Sequence, residues 1–199
     1  RLSPQDVGWK LVAVSVSDLA AMGARPAWMV LSISVPTSTN ADWVNQFSRG
    51  LSEALHTYGV ELIGGDTTRS PGPIVLSGTL GGELVKTPML RSDGRPGDIV
   101  CTTGYLGLAG AGYLLERPSP AALEALRRPK PPVEFALALA EQLPRCAAMD
   151  ISDGLAIDLP RLCAAAGVGA IIDPEAIPCH PELIDFTDRQ RLLLAAGDD

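Results

Sequence analysis

Aspartates at the ends of apolar runs are the residues of this chain best placed to do chemistry. Asp18 interrupts Val14-Ser15-Val16-Ser17-Asp18-Leu19-Ala20-Ala21-Met22-Gly23, and Asp66 stands in Gly64-Gly65-Asp66-Thr67-Thr68-Arg69. Asp150 and Asp153 flank Ser152 in Met149-Asp150-Ile151-Ser152-Asp153-Gly154-Leu155, and Asp198 and Asp199 follow Gly197. Carboxylates and hydroxyls are hard oxygen donors of the kind magnesium takes. Asp150 and Ser152 lie two apart, so at a strand end both project to one face. A second carboxylate there is expensive without a cation to separate the charges. The small apolar neighbours of Asp18 predict a largely buried segment, where a lone carboxylate is costly. A divalent cation satisfies it; so do backbone hydrogen bonds or an arginine. The glycines before Asp66 let a ligand approach the backbone, with Arg69 available to a phosphate, although an ordinary turn between strands uses the same residues. Asp153 taken singly reads most simply as a helix cap, and the closing acidic pair as a solvated terminus.

The joint pattern says more than its parts. Phosphoryl transfer asks mostly for positioning and charge neutralisation, not for a covalent nucleophile. Carboxylates that gather several magnesium ions around a triphosphate supply both. Arg91, in Leu90-Arg91-Ser92, adds a fork of donors for phosphate. The GxxxxGK[ST] phosphate loop is absent. Two histidines, His56 and His180, leave little room for a Ser-His-Asp or Cys-His pair. His56 falls on a helix surface and His180 in a turn.

Composition narrows the classes further. The chain has 199 residues and a net charge of −7, which repels phosphate backbones and excludes general nucleic-acid binding. Cys101, Cys146, Cys163 and Cys179 form no CxxC pair, so a zinc site is not expected and a reducing, cytoplasmic setting is. The apolar stretch from Leu11 to Val35 is broken by Asp18, Arg25 and Pro26, too punctuated for a membrane span. No signal peptide is visible. The chain opens without Met and stops on an acidic motif, which reads as a fragment.

The elements that must position these residues follow from local signals. Ser3, Pro4 and Asp6 start a helix that runs to about Met22 and stops at Gly23. Ala27, Met29, Leu31, Ile33 and Val35 alternate with Trp28, Val30, Ser32 and Ser34, which predicts a strand. Trp43, Phe47, Leu51 and Leu55 recur at helical spacing in a helix that starts near Asn40 and ends at Gly59. A short strand over 60–63, a loop over 64–69 and a strand over 74–84 come next. A charged, proline-bearing linker spans 87–97. Strands are expected over 98–103, 146–151 and 170–172. Helices are expected over 106–116, in pieces among Pro118, Pro120, Pro129, Pro131 and Pro132, over 155–166 and over 188–196. Pro160 is either a defect within the 155–166 helix or the sign of a later start capped by Asp158. Mixed strands and helices imply an α/β or α+β fold in two lobes, 1–88 and 89–199.

Five of these motifs occur in one order: Ser17-Asp18-Leu19-Ala20-Ala21-Met22-Gly23-Ala24, Gly64-Gly65-Asp66-Thr67-Thr68, Arg91-Ser92 with Pro96-Gly97-Asp98, Asp150-Ile151-Ser152-Asp153-Gly154-Leu155, and Gly197-Asp198-Asp199. Together they resemble the thiamine-monophosphate kinase family of the aminoimidazole-ribonucleotide-synthetase-like superfamily, over essentially the whole chain. The Gly-Gly-Asp-Thr-Thr form favours this family over hydrogenase-maturation and selenophosphate relatives. The resemblance implies a two-lobed fold whose N-terminal lobe is incomplete here, and ATP-dependent phosphorylation of thiamine monophosphate to thiamine diphosphate with several Mg2+ ions. It implies a homodimer paired through N-terminal strands, with nucleotide between the lobes. Motif by motif, it implies Asp18, Asp66, Asp150 and Asp153 as metal ligands, and Gly65, Asp66, Arg91 and Ser152 as nucleotide contacts. Asp198 stands where many relatives carry a glutamate facing the thiamine substrate.

The family's further N-terminal acidic segment, with its metal-holding motifs, and its portion beyond Gly-Asp-Asp are missing from this chain. If these residues are the whole polypeptide, a weak or dead kinase is expected. The alternatives are another ATP-using synthetase of the superfamily and a catalytically inactive dimerisation module.

Overall fold

The structure is a computed structural model, and it describes residues 1–184. The expected helix over 188–196 and the Gly197-Asp198-Asp199 motif lie outside the described residues.

α1 (Pro4–Ala21) starts as its sequence predicts. The Ser3 hydroxyl accepts from the Asp6 N–H at 3.1 Å, and the Asp6 carboxylate accepts from the Ser3 N–H at 2.9 Å. β1 (Ala24–Val35) turns Met29 and Leu31 inward and Trp28 and Val30 outward, as period-two alternation requires. α2 (Ala41–Tyr58) is capped by Asn40, whose side chain accepts from the Trp43 N–H at 2.8 Å. β2 (Glu61–Arg69) lies parallel to β1, and β3 (Val75–Leu84) lies antiparallel on its other side, giving the order β2-β1-β3. Val12 and Val16 of α1, Met29 and Leu31 of β1, and Phe47 and Leu51 of α2 form the centre of the main core.

The expected loop over 64–69 is strand instead. Gly64 to Arg69 continue β2 against Val30 to Val35. The two glycines lower strand propensity, but β1 offers an unbroken row of backbone partners, and pairing overrides propensity.

α1 and α2 pack backbone to backbone. A Cβ at Gly50 would lie 1.8 Å from the Gln5 carbonyl oxygen, and one at Gly8 would lie 2.2 Å from that of Phe47. Only glycine at both positions permits this spacing.

Between residues 85 and 184 the α-helices are α3 (Leu108–Leu114), α4 (Pro120–Arg127), α5 (Val133–Gln142) and α6 (Leu155–Ala166), joined by long irregular segments. Ala136 and Ala140 of α5 pack with Met89 on Ala20, at the C-terminal end of α1. Trp9 of α1 donates through Nε1 to the Pro129 carbonyl at 3.1 Å, under the Arg128 guanidinium. The prolines between α4 and α5 are thus tied to the N-terminal half.

The strands expected over 98–103, 146–151 and 170–172 are not formed. Among the described residues, the bridge Leu106–Cys179 is the isolated strand contact of this half. Alternating hydrophobicity reports an extended segment, whereas a strand also needs a neighbour's N–H and C=O groups. The helix expected over 106–116 is shorter, and Gly107 precedes its first residue. α6 runs through Pro160 rather than starting after it.

Gly50→Ala should cost about 2–3 kcal/mol, because neither helix backbone can retreat without opening the core. A lower urea midpoint at constant m value would show this. An unchanged midpoint would mean that the helices have room to part.

Candidate functional site

Asp18 reaches the surface because of where it falls on α1. Val7, Leu11, Val14 and Asp18 recur at helical spacing on the face opposite the most deeply buried stripe, and all four line one cavity of about 530 Å³. The expectation of a buried Asp18 is therefore corrected. Val16 and Ala20 are buried, while the carboxylate between them is exposed at the cavity wall. Lys10 and Leu76 from the N-terminal half, and Asp150 and Ser152 from the far half, complete its lining. Lys10 also donates from Nζ to the Leu126 carbonyl at 3.1 Å.

Asp150 is half-buried. Burial first, and the facing Asp18 carboxylate next, push its carboxyl above the ordinary range, and Arg91 pulls the other way. Two carboxylates and a hydroxyl around one water-accessible space form the donor set that magnesium uses beside phosphate oxygens, since magnesium commonly takes only one or two protein carboxylates. These residues fit such an ion. Among the described residues, no group of three His, Cys, Asp or Glu side chains comes close enough to hold a metal by itself.

The other sequence-derived residues are placed differently. Arg91 opens a short 3-10 helix, Arg91–Asp93, and is exposed. Its loop is pinned by Arg145, which makes two 2.7 Å bonds to the Asp98 carboxylate and also donates to the Asp93 carbonyl. Those Arg145 bonds, with the Arg95 N–H, hold the Asp98 carboxyl well below the usual range. Gly65 and Asp66 sit on the exposed β2 and do not line the cavity. A Cβ at Gly65 would meet the Leu31 carbonyl oxygen at 2.1 Å, so glycine serves strand pairing there. Asp66 accepts from the Thr67 N–H at 2.8 Å.

Asp153 is not a helix cap. Gly154 holds the cap position with φ 105°, a conformation that favours glycine, and Asp153 pairs with Arg161. Asp198 lies outside the described residues. The exposed His56 and the turn residue His180 stand apart from the cavity, as expected.

Sequence reasoning offers Asp158 only as a possible helix cap. Its carboxylate is buried and accepts hydrogen bonds from the backbone amides of Ser152, Asp153 and Gly154. The available signal was the pairing of a glycine-bearing turn with an aspartate one helical turn later.

Asp150→Asn should weaken magnesium-dependent nucleotide binding by ~10–100-fold while raising the melting temperature of the metal-free protein by ~1–3 °C. A raised folded-state pKa means that the folded form binds the proton more tightly. The charged carboxylate therefore costs stability above that pKa, and the cost is relieved as pH falls through it. The gain should be present at neutral pH and shrink on acidification. Thermal melts across pH, with titration calorimetry, test both parts.

Sequence profiles of AIR synthase related protein match this chain twice, the N-terminal domain over residues 1–84 and the C-terminal domain over residues 95–196. A thiamine-monophosphate kinase from Synechococcus elongatus is 38% identical over 212 residues, covering 98% of this chain and 64% of the relative. The crystal structure of thiamine monophosphate kinase from Aquifex aeolicus matches with a TM-score of 0.89 at 31% identity, covering 98% of this chain and 70% of that one. AaThiL complexed with AMPPCP and TMP matches with a TM-score of 0.89 at 30% identity, covering 98% and 66%. The chain spans about 64% of the length of the curated relatives it matches. The fold is AIR synthase-like, and the chain belongs to the AIR synthase related family, in its thiamine-monophosphate kinase branch.

Proposed function

We propose that the protein phosphorylates thiamine monophosphate to thiamine diphosphate with ATP and magnesium. The observation that carries this reading is the meeting of Asp18 and Asp150, from distant parts of the chain, with Ser152 on one cavity. The similarity to thiamine-monophosphate kinases, one of them complexed with AMPPCP and TMP, supplies the substrates.

The terminal phosphoryl group of ATP passes to a phosphate oxygen of the acceptor, breaking the bond to ADP and forming a new P–O–P link. The acceptor oxygen is anionic at neutral pH and needs no general base, which suits a site without histidine. Magnesium, when bound, supplies charge neutralisation for the phosphates. Asp18 and Asp150 hold the cation, Ser152 orients a phosphate, and Arg91 reaches toward the polyphosphate from its pinned loop. Gly65, Asp66 and Asp153 join the nucleotide and metal contacts in this reading, and Asp198 is assigned to the thiamine substrate.

The division into lobes 1–88 and 89–199 belongs to the same proposal, with the cavity between them. So does a homodimer, supported by the exposed outer face of β1 at Trp28 and Val30 and by the exposed β2. No described helix is long and apolar enough to cross a membrane. The four cysteines are free thiols, which suits a reducing cytoplasm.

The complete natural polypeptide should form thiamine diphosphate from thiamine monophosphate, ATP and magnesium. Asp18→Asn should lower turnover by at least ~100-fold. Chromatographic detection of thiamine diphosphate is the test. A folded, ATP-binding protein that makes none would contradict the substrate assignment.

A further inference from the structure

The Asp158 carboxylate lies in the first turn of α6, 1% exposed, with both oxygens engaged. Oδ2 accepts from the N–H groups of Ser152 at 3.0 Å, Asp153 at 2.8 Å and Gly154 at 3.0 Å. Oδ1 accepts from Arg161 at 3.0 Å, and the same guanidinium nitrogen donates to Asp153. Successive amides converging on one point form the concavity that elsewhere grips a phosphate. Here the chain fills it with its own anion.

Two results follow. The amides of the turn are withheld from ligand phosphates, which must be met by side chains and a cation. The backbone at Ser152, two residues after Asp150, is held by a carboxylate that does not itself line the cavity.

We infer that Asp158 is a positioning residue, an internal anion that preorganises the Asp150–Gly154 turn for a cation-bound polyphosphate. This rests on the phosphotransferase reading above.

The test compares Asp158→Ala and Asp158→Asn in the full chain. The isosteric asparagine keeps the core filled, but must turn its NH2 group toward either the amides or Arg161. Hydrogen exchange at residues 152–154 should accelerate by at least ~100-fold in Asp158→Ala, and by less in Asp158→Asn. Magnesium-dependent ATP binding should weaken by ~10–100-fold in Asp158→Ala. KM for the acceptor should stay within ~2-fold, a split that general unfolding would not produce. Formate, which returns a carboxylate to the emptied concavity, should restore ATP binding in Asp158→Ala but not in Asp158→Asn.

Slow exchange of the three amides in Asp158→Ala would overturn the inference. So would wild-type ATP affinity in a variant whose turn exchanges fast. If Asp158→Ala does not fold, the same exchange and affinity comparison in Asp158→Asn decides. A wild-type chain without magnesium-dependent ATP binding would instead overturn the phosphotransferase reading, and the exchange data would still settle whether Asp158 holds the turn.

Discussion

Like charges repel across the cavity that Asp18 and Asp150 share, and the fold holds them there all the same. Asp18 is fixed by α1, which is locked to α2 at Gly8 and Gly50, covered by the sheet and abutted by α5. Asp150 arrives from the far half of the chain on a segment with no strand partner among the described residues. The core contacts of α1 therefore set one wall of the site. A small set of polar contacts sets the other.

Those polar contacts differ in weight. The Arg145–Asp98 pair is bidentate but solvent-accessible, and pairs of that kind contribute little to stability because solvent screens them. Its effect is geometric, since it ties the Arg91 loop to the strand-like segment leading to Asp150. Asp158 is the opposite case. Burying an ion costs several kcal/mol after relaxation, while hydrogen bonds to a charged group contribute ~1.5–3 kcal/mol each. Three amides and Arg161 together offset the burial. Removing any one partner would leave a buried charge short of donors.

Much of this was legible in the residues. The Ser3-Pro4-Gln5-Asp6 start of α1, the alternation of β1 and the Asn40 cap with the four-residue spacing of α2 are local signals, and each element forms where its signal stands. Asp18, Asp150 and Ser152 stood out as chemistry-bearing residues, and the structure puts them on one cavity. Non-local features were not legible. Whether Gly64 to Arg69 is loop or strand depends on the partner offered by β1, and whether 146–151 is a strand depends on a neighbour that no local pattern encodes. The apolar neighbours of Asp18 imply burial, whereas its exposure follows from its angle on α1. Asp158 was seen only as a possible helix cap, because three backbone donors leave no trace in side-chain composition.

The proposed phosphotransfer rests on Asp18 and Asp150 acting on one cation. A double-mutant cycle on magnesium-dependent ATP binding, with Asp18→Asn, Asp150→Asn and the double variant measured by calorimetry, tests it most directly. If both carboxylates serve one ion, the second substitution should cost little once the first is made, with a coupling above ~1 kcal/mol. Losses that simply add would contradict a shared cation and separate the two aspartates into independent roles.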